Sequence, residues 1–260
     1  MPYAEHDGAR LFWTSEGSGD PLLLIMGLGY AHDMWHRTRA ALSPHFRLIM
    51  FDNRGVGQSD VPPGPYTMAQ MAGDAAAVLD AAGVDSADVM GFSMGGMIAQ
   101  EFVLRYPERV RRLVLGCTAC GGPKAVRAEK GVSDLLLNRG SMQMEEAMEA
   151  GVPFIYDVST PRERIEEDFA IRRRTFPTAA GYKAQLGAVL AFEAYSRLSG
   201  ISAPALVIHG ENDRLVPPGN GRLIADSIPG AQWTPIPNAS HIFTTDQPEL
   251  SHAAIHAFLS

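Results

Sequence analysis

A serine between two glycines constrains this chain more than any other feature. The sequence Gly-Phe-Ser-Met-Gly-Gly at positions 91–96 follows a short apolar segment and precedes a segment with helical spacing. A Cβ atom at Gly91 or Gly95 would clash in a tight strand-to-helix turn, which explains both glycines. Such a turn lifts the Ser93 hydroxyl out of the sheet, beside helix N–H groups that face developing negative charge. The pattern therefore predicts that Ser93 is a nucleophile.

Apolar runs alternate with helical patterns on both sides of this turn. An opening hairpin is predicted over 3–16, with Asp7 and Gly8 as its turn. Buried strands are predicted at 21–26, 47–51, 87–90, 110–116, 205–210 and 232–236, and helices at about 34–42, 67–82, 97–104, 219–227 and 248–259. This alternation predicts an α/β fold, with a mostly parallel twisted sheet and helices on both faces.

The alternation stops in one long segment, 121–200, which has no buried-strand run. A capping box with proline at the first helical position begins a helix at 160–163, and a second helix is predicted over 182–198. We interpret 121–200 as a helical cap inserted into an α/β core formed by 1–120 and 201–260, with ordinary peripheral helices as the alternative. The residues of the second helix predicted to face inward are Leu186, Val189 and Leu190.

A nucleophilic serine needs a base to remove its proton and an acid to orient that base. Reactive groups of a parallel sheet collect beyond the carboxyl ends of its strands. His241 follows the last predicted strand and is the best candidate for the base, and Asp213, just past the preceding strand, is the best candidate for the acid. Glu211 and Asp246 are the rival acids, but Glu211 is too close to its strand and Asp246 is predicted to cap the final helix. These positions predict the triad Ser93, Asp213 and His241.

An oxyanion hole requires two fixed N–H donors beside the nucleophile. We expect one from the backbone of Met94, which follows the serine, and one from Leu28, which lies between two glycines after the first buried strand. Several apolar side chains also fall near the predicted strand ends and are candidates for a substrate pocket, although each could equally be plain core. These are Trp35, Met26, Met97, Met34 and Met94.

Composition limits the classes of function. The chain has 260 residues, 46% of them apolar and 20% charged, which is ordinary for a soluble globular protein. Its net charge of −7 argues against nucleic acid or an anionic membrane as a partner. Residues 1–10 show neither a basic nor an apolar signal segment, so a cytoplasmic location is expected. A small-molecule substrate and a monomer or homodimer are expected.

Two side chains outside the predicted triad invite a redox or metal interpretation. Cys117 and Cys120 are the only cysteines, which excludes a disulfide framework, and a single pair makes a poor zinc site. We expect both to be small packed residues beyond a buried strand. His209 lies inside an apolar strand and is expected to be a packed residue with a satisfied ring nitrogen. The predicted triad itself requires no metal ion or organic cofactor.

These motifs together resemble the α/β-hydrolase superfamily from end to end of the chain. The resemblance covers the Gly-Leu-Gly loop at 27–29, the Asp-Asn-Arg-Gly-x-Gly-x-Ser run at 52–59, the serine turn, the Gly-x-x-Asp-x-x-Val-Pro run at 210–217 and the Ser-His pair at 240–241. The order serine, acid, histidine is also that of the superfamily. Many relatives have histidine where this chain has Met26, so the loop at 27–29 must be supported from elsewhere.

The resemblance implies a serine hydrolase that works through an acyl-enzyme. Nearer relatives look like small esterases and 3-oxoadipate enol-lactonases, and the stretch 62–67 is similar to one in the latter. A carboxylesterase acting on a small ester is the first expectation. Enol-lactone hydrolysis, cofactor-free perhydrolysis or carbon–carbon bond hydrolysis, and a non-catalytic ligand receptor are the alternatives. Serine rather than aspartate at position 93 argues against haloalkane dehalogenase or epoxide hydrolase chemistry.

Overall fold

The computed structural model describes residues 2–260, which form one eight-stranded sheet. Its strands are β1 (Tyr3–His6), β2 (Ala9–Glu16), β3 (Asp20–Ile25), β4 (Phe46–Phe51), β5 (Ala87–Phe92), β6 (Val110–Gly116), β7 (Ala205–Gly210) and β8 (Gln232–Ile236). They are arranged in the order β1-β2-β4-β3-β5-β6-β7-β8. The pairs β1–β2 and β2–β4 are antiparallel, and all other neighbours are parallel. The predicted α/β fold class is confirmed.

Helices cover both faces of this sheet. They are α1 (His36–Leu42), α2 (Met68–Ala81), α3 (Met94–Arg105), α4 (Lys130–Asn138), α5 (Met144–Ile155), α6 (Arg162–Arg174), α7 (Ala179–Ala191), α8 (Gly219–Ser227), α9 (Phe243–Asp246) and α10 (Pro248–Leu259). Within residues 2–260 none of these helices has the length and apolar character needed to cross a membrane.

Strand β3 shows why the sheet is buried on both faces. Its residues alternate between two apolar clusters, because successive side chains of a strand point to opposite faces. Leu22 and Leu24 pack in one cluster with side chains of α1 and α10, whereas Leu23 and Ile25 pack in the other with side chains of α2 and α3. All four side chains are fully buried, so the continuous apolar run in the sequence reflects this double burial.

The parallel register brings the candidate site residues to one edge. Strands β3, β5, β6, β7 and β8 run in the same direction, so the segments that follow their carboxyl ends meet. Ser93 directly follows β5, Asp213 follows β7 and His241 follows β8. Three segments that are far apart in sequence are thus brought together by the topology alone.

Between β6 and β7 the chain forms the four helices α4 to α7. Buried side chains of α5 and α6, among them Met148, Ile155 and Phe169, form an apolar cluster separate from the two clusters on the sheet. Ile242, beside the candidate base, belongs to this same cluster. The helical segment is therefore packed against the edge of the sheet where the candidate site lies. Its division from the core as a cap stays a prediction.

The second helix predicted in this segment ends earlier than expected. Helix α7 stops at Ala191, and a 3₁₀ turn occupies Tyr195–Gly200. Between them Glu193 forms an antiparallel bridge with Gly121, and the Ala194 N–H bonds to the Cys120 carbonyl at 2.8 Å. This pairing follows the end of the helix. Leu190, in the last turn of α7, is 68% exposed, so its predicted inward position is wrong, whereas Leu186 is buried.

The capping prediction at Thr160 is also wrong. Helix α6 begins at Arg162 after Pro161, and no side chain caps it. The Thr160 hydroxyl instead donates to the Asp246 carboxylate, with Oγ1 and Oδ1 2.6 Å apart. A long-range polar partner has outcompeted the local backbone contact. By contrast, the Thr67 hydroxyl accepts the Gln70 N–H at 3.0 Å and caps α2 as predicted.

Candidate active site

Ser93 lies between β5 and α3, as the glycine pattern predicts. Its backbone has φ +57° and ψ −120°, a conformation that costs free energy for a residue with a side chain. Short hydrogen bonds hold it there. The Ser93 N–H donates to the Gly116 carbonyl at 2.8 Å, and the Ser93 carbonyl accepts from Thr118 Oγ1 at 2.7 Å and from the Gly96 N–H at 2.9 Å.

The two flanking glycines are required by backbone approach. A Cβ atom at Gly91 would lie 2.2 Å from the Gly95 carbonyl oxygen, and one at Gly95 would lie 2.0 Å from the Ile25 carbonyl oxygen. Backbone atoms cannot move aside as a flexible side chain can. Both positions therefore exclude every residue except glycine, and the tight packing holds Ser93 beside the end of β3.

The candidate base and acid form a buried pair. His241 Nδ1 donates to Asp213 Oδ2 at 2.8 Å, while Asp213 Oδ1 accepts the Val216 N–H at 2.8 Å. Burial acts to raise the pKa of Asp213, but the charge of His241 and the hydrogen bonds from His209 and His241 outweigh it and lower this pKa to about 2. Asp213 is thus ionised at neutral pH, and it leaves His241 Nε2 as the nitrogen free to accept a proton.

Ser93 and His241 line the same cavity. Among residues 2–260 no hydrogen bond joins the Ser93 hydroxyl to the imidazole, a contact that often forms only once substrate is bound. The Phe92 ring packs edge-on against the His241 ring, with centroids 5.7 Å apart and planes at 77°. Together with Asp213, this contact fixes the orientation of the imidazole at the cavity wall.

The two predicted oxyanion donors also line the cavity. Leu28 and Met94 both contribute to its wall. Within the described part of the chain, neither backbone N–H donates a hydrogen bond. The Met94 N–H is also the first of helix α3, so the positive end of the helix dipole lies there. Two unpaired N–H groups beside a serine hydroxyl can stabilise an oxyanion.

The loop that carries Leu28 is supported by two side chains that the sequence analysis missed. Asn53 Nδ2 donates to the Met26 carbonyl at 2.8 Å. The fully buried Gln185, on α7, accepts the Gly29 N–H at 2.8 Å and donates to the Arg54 carbonyl at 2.8 Å. Asn53 lies in a run that the sequence analysis singled out, whereas nothing in the local pattern marks Gln185.

The cavity itself has a volume of about 100 Å³ and a mostly apolar wall. Its lining includes all five candidate pocket residues of the sequence analysis, which are Trp35, Met26, Met97, Met34 and Met94. Residues from the helical segment complete it. Only Val189 among them was predicted from the sequence to face inward, because helical spacing alone does not identify the neighbouring element. They are Leu135, Leu136, Arg139, Gly151, Ile155 and Val189.

The rival acids take other roles. Asp246 ends α9 and accepts the Ser240 N–H at 2.6 Å as well as the Thr160 hydroxyl, and burial raises its pKa to about 6. It does not cap the final helix, where no side-chain cap is formed, so that prediction is wrong. Glu211 is exposed, and within residues 2–260 the carboxylate that binds His241 is that of Asp213.

Cys117, His209 and Asp213 offer ligand atoms within 4.8 Å of one another, which raises the question of a metal. His209 Nε2 is already 2.8 Å from the Val216 carbonyl and 3.1 Å from Asp213 Oδ2, which also binds His241. Burial raises the pKa of the Cys117 thiol well above its ordinary value. The group fits a hydrogen-bonded core better than a metal centre. Both cysteines are free and buried, as expected.

Comparison with known proteins agrees with this geometry. A family model described as the alpha/beta hydrolase fold matches residues 20–150. The chain is 32% identical over 265 residues to a putative carbamate hydrolase, RutD, from Azorhizobium caulinodans, covering 99% of this chain and 98% of that protein. It is 30% identical over 260 residues to a putative non-heme bromoperoxidase, BpoC, from Mycobacterium tuberculosis, and the match covers 96% of this chain and 98% of that protein.

A solved structure gives the same result at the level of the fold. The enol-lactonase from Burkholderia xenovorans superimposes with a TM-score of 0.89 at 28% identity, covering 99% of each chain. These relatives are named for different reactions, but each of them matches nearly the whole length of this chain. The serine turn, the parallel sheet and these matches lead to one conclusion: the chain belongs to the α/β-hydrolase family.

Proposed function

We propose that this protein is a serine hydrolase that cleaves carboxylic esters of small molecules through Ser93, His241 and Asp213. One observation carries the proposal: the strained Ser93 turn faces the same cavity as the buried pair of His241 and Asp213. Strain at a backbone position is retained where the surroundings enforce it, and it concentrates at functional sites. An ionised acid, an oriented imidazole and a raised hydroxyl are the parts that acyl transfer requires.

The reaction proceeds in two half-reactions. His241 Nε2 takes the Ser93 proton as Oγ attacks the ester carbonyl carbon, and the imidazolium is stabilised by Asp213. The protonated His241 then gives its proton to the leaving oxygen, the carbon–oxygen bond to the alcohol breaks, and an acyl-enzyme remains on Ser93. Water, deprotonated by His241, attacks that acyl group, and Ser93 leaves with the proton.

The oxyanion formed in each half-reaction binds to the N–H groups of Leu28 and Met94. Such donors act mainly in the transition state, and losing one costs about 3–4 kcal/mol of barrier. We further propose that residues 121–200 act as a cap, because α4, α5 and α7 contribute side chains to the cavity wall. The cap excludes water from the site and so strengthens every electrostatic interaction within it.

Two assays test this proposal together. The wild-type protein should react with a fluorophosphonate probe and hydrolyse 4-nitrophenyl acetate or butyrate, and Ser93→Ala should lose both activities, with kcat falling on the order of a million-fold. Ser18→Ala changes an exposed serine in the loop between β2 and β3 and serves as the matched control. A protein that neither reacts with the probe nor hydrolyses any ester in the series would instead be a ligand receptor on this fold.

Enol-lactone hydrolysis is the second candidate, favoured by the TM-score of 0.89 to an enol-lactonase. The same three side chains perform it, because a lactone is a cyclic ester whose alcohol stays attached to the acyl group. Comparing kcat/KM for an enol-lactone with that for its open-chain ester separates the two. A ratio above one favours the lactonase, and a ratio below one favours the esterase.

A further inference from the structure

Two buried arginines near the candidate site have no acidic partner. Arg139, which follows α4, is 8% exposed, and Arg172, on α6, is 3% exposed. Within the described residues neither guanidinium forms a salt bridge. Arg139 Nε and Nη2 and Arg172 Nη1 and Nη2 are buried without a hydrogen-bond partner. A buried charge is unfavourable unless it is paired, so this arrangement calls for an anion.

The same protein pairs a buried arginine elsewhere. Arg54 is 1% exposed, and its Nε and Nη2 both donate to the Asp74 carboxylate at 2.6 Å. That bidentate pair satisfies the edge of the guanidinium formed by Nε and Nη2. In Arg139 this same edge is the one left without an acceptor. The difference between the two sites is therefore a missing carboxylate.

Aromatic rings hold the unpaired arginines in place. The Arg139 guanidinium lies 5.6 Å from the Tyr30 ring centroid and 5.8 Å from that of Tyr182, and the Arg172 guanidinium lies 4.8 Å from Tyr30. These cation–π contacts fix the planar groups but leave their N–H donors free. Burial and the neighbouring charge of Arg139 lower the pKa of Arg172, which agrees with positive charge that has no counter-ion.

Arg139 lines the cavity that also contains Ser93, His241 and Leu28. Among the cavity-lining residues that the structure describes, it is the one arginine, in a wall that is otherwise mostly apolar. An anion bound to its free edge would share the cavity with the reacting ester. Carboxylates match this edge with two parallel hydrogen bonds, which a neutral group cannot do.

We propose that the natural substrate carries a carboxylate in its acyl part, which binds to Arg139 while Ser93 attacks the ester carbonyl. The inference rests on the proposed hydrolase function. The acyl part is assigned because it remains bound to Ser93 through both half-reactions, whereas the alcohol must leave the cavity. Arg172, 4.8 Å from the Tyr30 ring centroid, adds positive potential nearby. The substrate class is thus a half-ester of a dicarboxylic acid.

Matched ester pairs test the proposal. Mono-4-nitrophenyl succinate, glutarate and adipate place the carboxylate at increasing distance from the reacting carbonyl, and the methyl ester of each is its neutral counterpart. We expect the wild-type protein to prefer the charged member of at least one pair by about 10- to 100-fold in kcat/KM, the range of a charge-assisted hydrogen-bonded contact. Arg139→Gln should bring that ratio towards one, and Arg139→Lys should retain part of it.

Arg174→Gln is the matched control, since it removes an exposed positive charge at the end of α6 and should leave the ratio unchanged. Equal kcat/KM within all three pairs for the wild-type protein overturns the proposal, and this result needs no variant to fold. A preference for the charged ester that persists in Arg139→Gln also overturns the proposal.

Calorimetry with glutarate separates this inference from the proposed function. Binding that is lost in Arg139→Gln, in a protein that hydrolyses no ester, would support the anion site and refute the hydrolase. Ester hydrolysis without any preference for the charged ester, and without glutarate binding, would support the hydrolase and refute the anion site.

Discussion

The most specific prediction concerns Gln185, which joins helix α7 to the loop of the oxyanion hole. Replacing it with leucine, of similar size, removes both of its hydrogen bonds to the backbone at 2.8 Å. The Gly29 N–H and the Arg54 carbonyl would then be left without these partners in a buried site, at about 1–3 kcal/mol each. We therefore expect the free energy of unfolding to fall by about 2–6 kcal/mol.

The same change should reduce catalysis through Leu28, which precedes Gly29. A loop displaced by on the order of 1 Å misplaces the N–H donor, and such misplacement costs about 100-fold in rate. Because the donor acts mainly in the transition state, kcat should fall while KM changes little. Gln143→Leu, an exposed glutamine in the same helical segment, is the control.

Urea unfolding and steady-state kinetics on a 4-nitrophenyl ester measure the two effects of Gln185→Leu. Loss of stability with an unchanged kcat would refute the link between Gln185 and the oxyanion hole. Stability equal to that of Gln143→Leu would refute the assignment of its buried hydrogen bonds.

Three further predictions follow from single contacts. Gly95→Ala places a Cβ 2.0 Å from the Ile25 carbonyl oxygen, so we expect loss of the folded protein or destabilisation by more than about 3 kcal/mol in urea unfolding; near-wild-type stability would contradict the geometry. Thr118→Val removes the hydrogen bond at 2.7 Å to the Ser93 carbonyl and should lower the free energy of unfolding by about 1–3 kcal/mol in the same assay. An unchanged free energy of unfolding would show that this hydrogen bond does not stabilise the turn. The pKa of Asp246 is raised to about 6 in the folded protein from 3.8, so the folded state binds the extra proton and stability falls as pH rises from 4 to 6, by on the order of 3 kcal/mol. Asp246→Asn should flatten this dependence in unfolding curves measured across that pH range, and an unchanged slope would count against the raised pKa.

Local sequence patterns predicted the strands and the serine turn well, for a physical reason. Strands β6 and β8 begin and end at the predicted residues because apolar runs and turn residues are local signals. Gly91 was also interpretable locally, since a Cβ atom there would clash with the Gly95 carbonyl of the same tight turn, whereas the clash at Gly95 is with Ile25 on the neighbouring strand β3.

Contacts between distant segments could not be predicted in this way. Gln185 bonds to Gly29 across the sequence, and a buried glutamine on a helix has no spacing that reveals its partner. The early end of α7 depends on pairing near Gly121, and the role of Asp246 depends on Thr160. The last two of these contacts overrode a helical and a capping preference that the sequence analysis had used.

The central claim is that Ser93 becomes acylated, and pre-steady-state kinetics test it most directly. Mixing the protein with a 4-nitrophenyl ester in a stopped-flow instrument should release a burst of one nitrophenol per active site, followed by slower turnover. Mass spectrometry of acid-quenched samples should then find the acyl group on the peptide that contains Ser93. Turnover of the ester with neither a burst nor an adduct on Ser93, and undiminished in His241→Ala, would contradict the proposed mechanism.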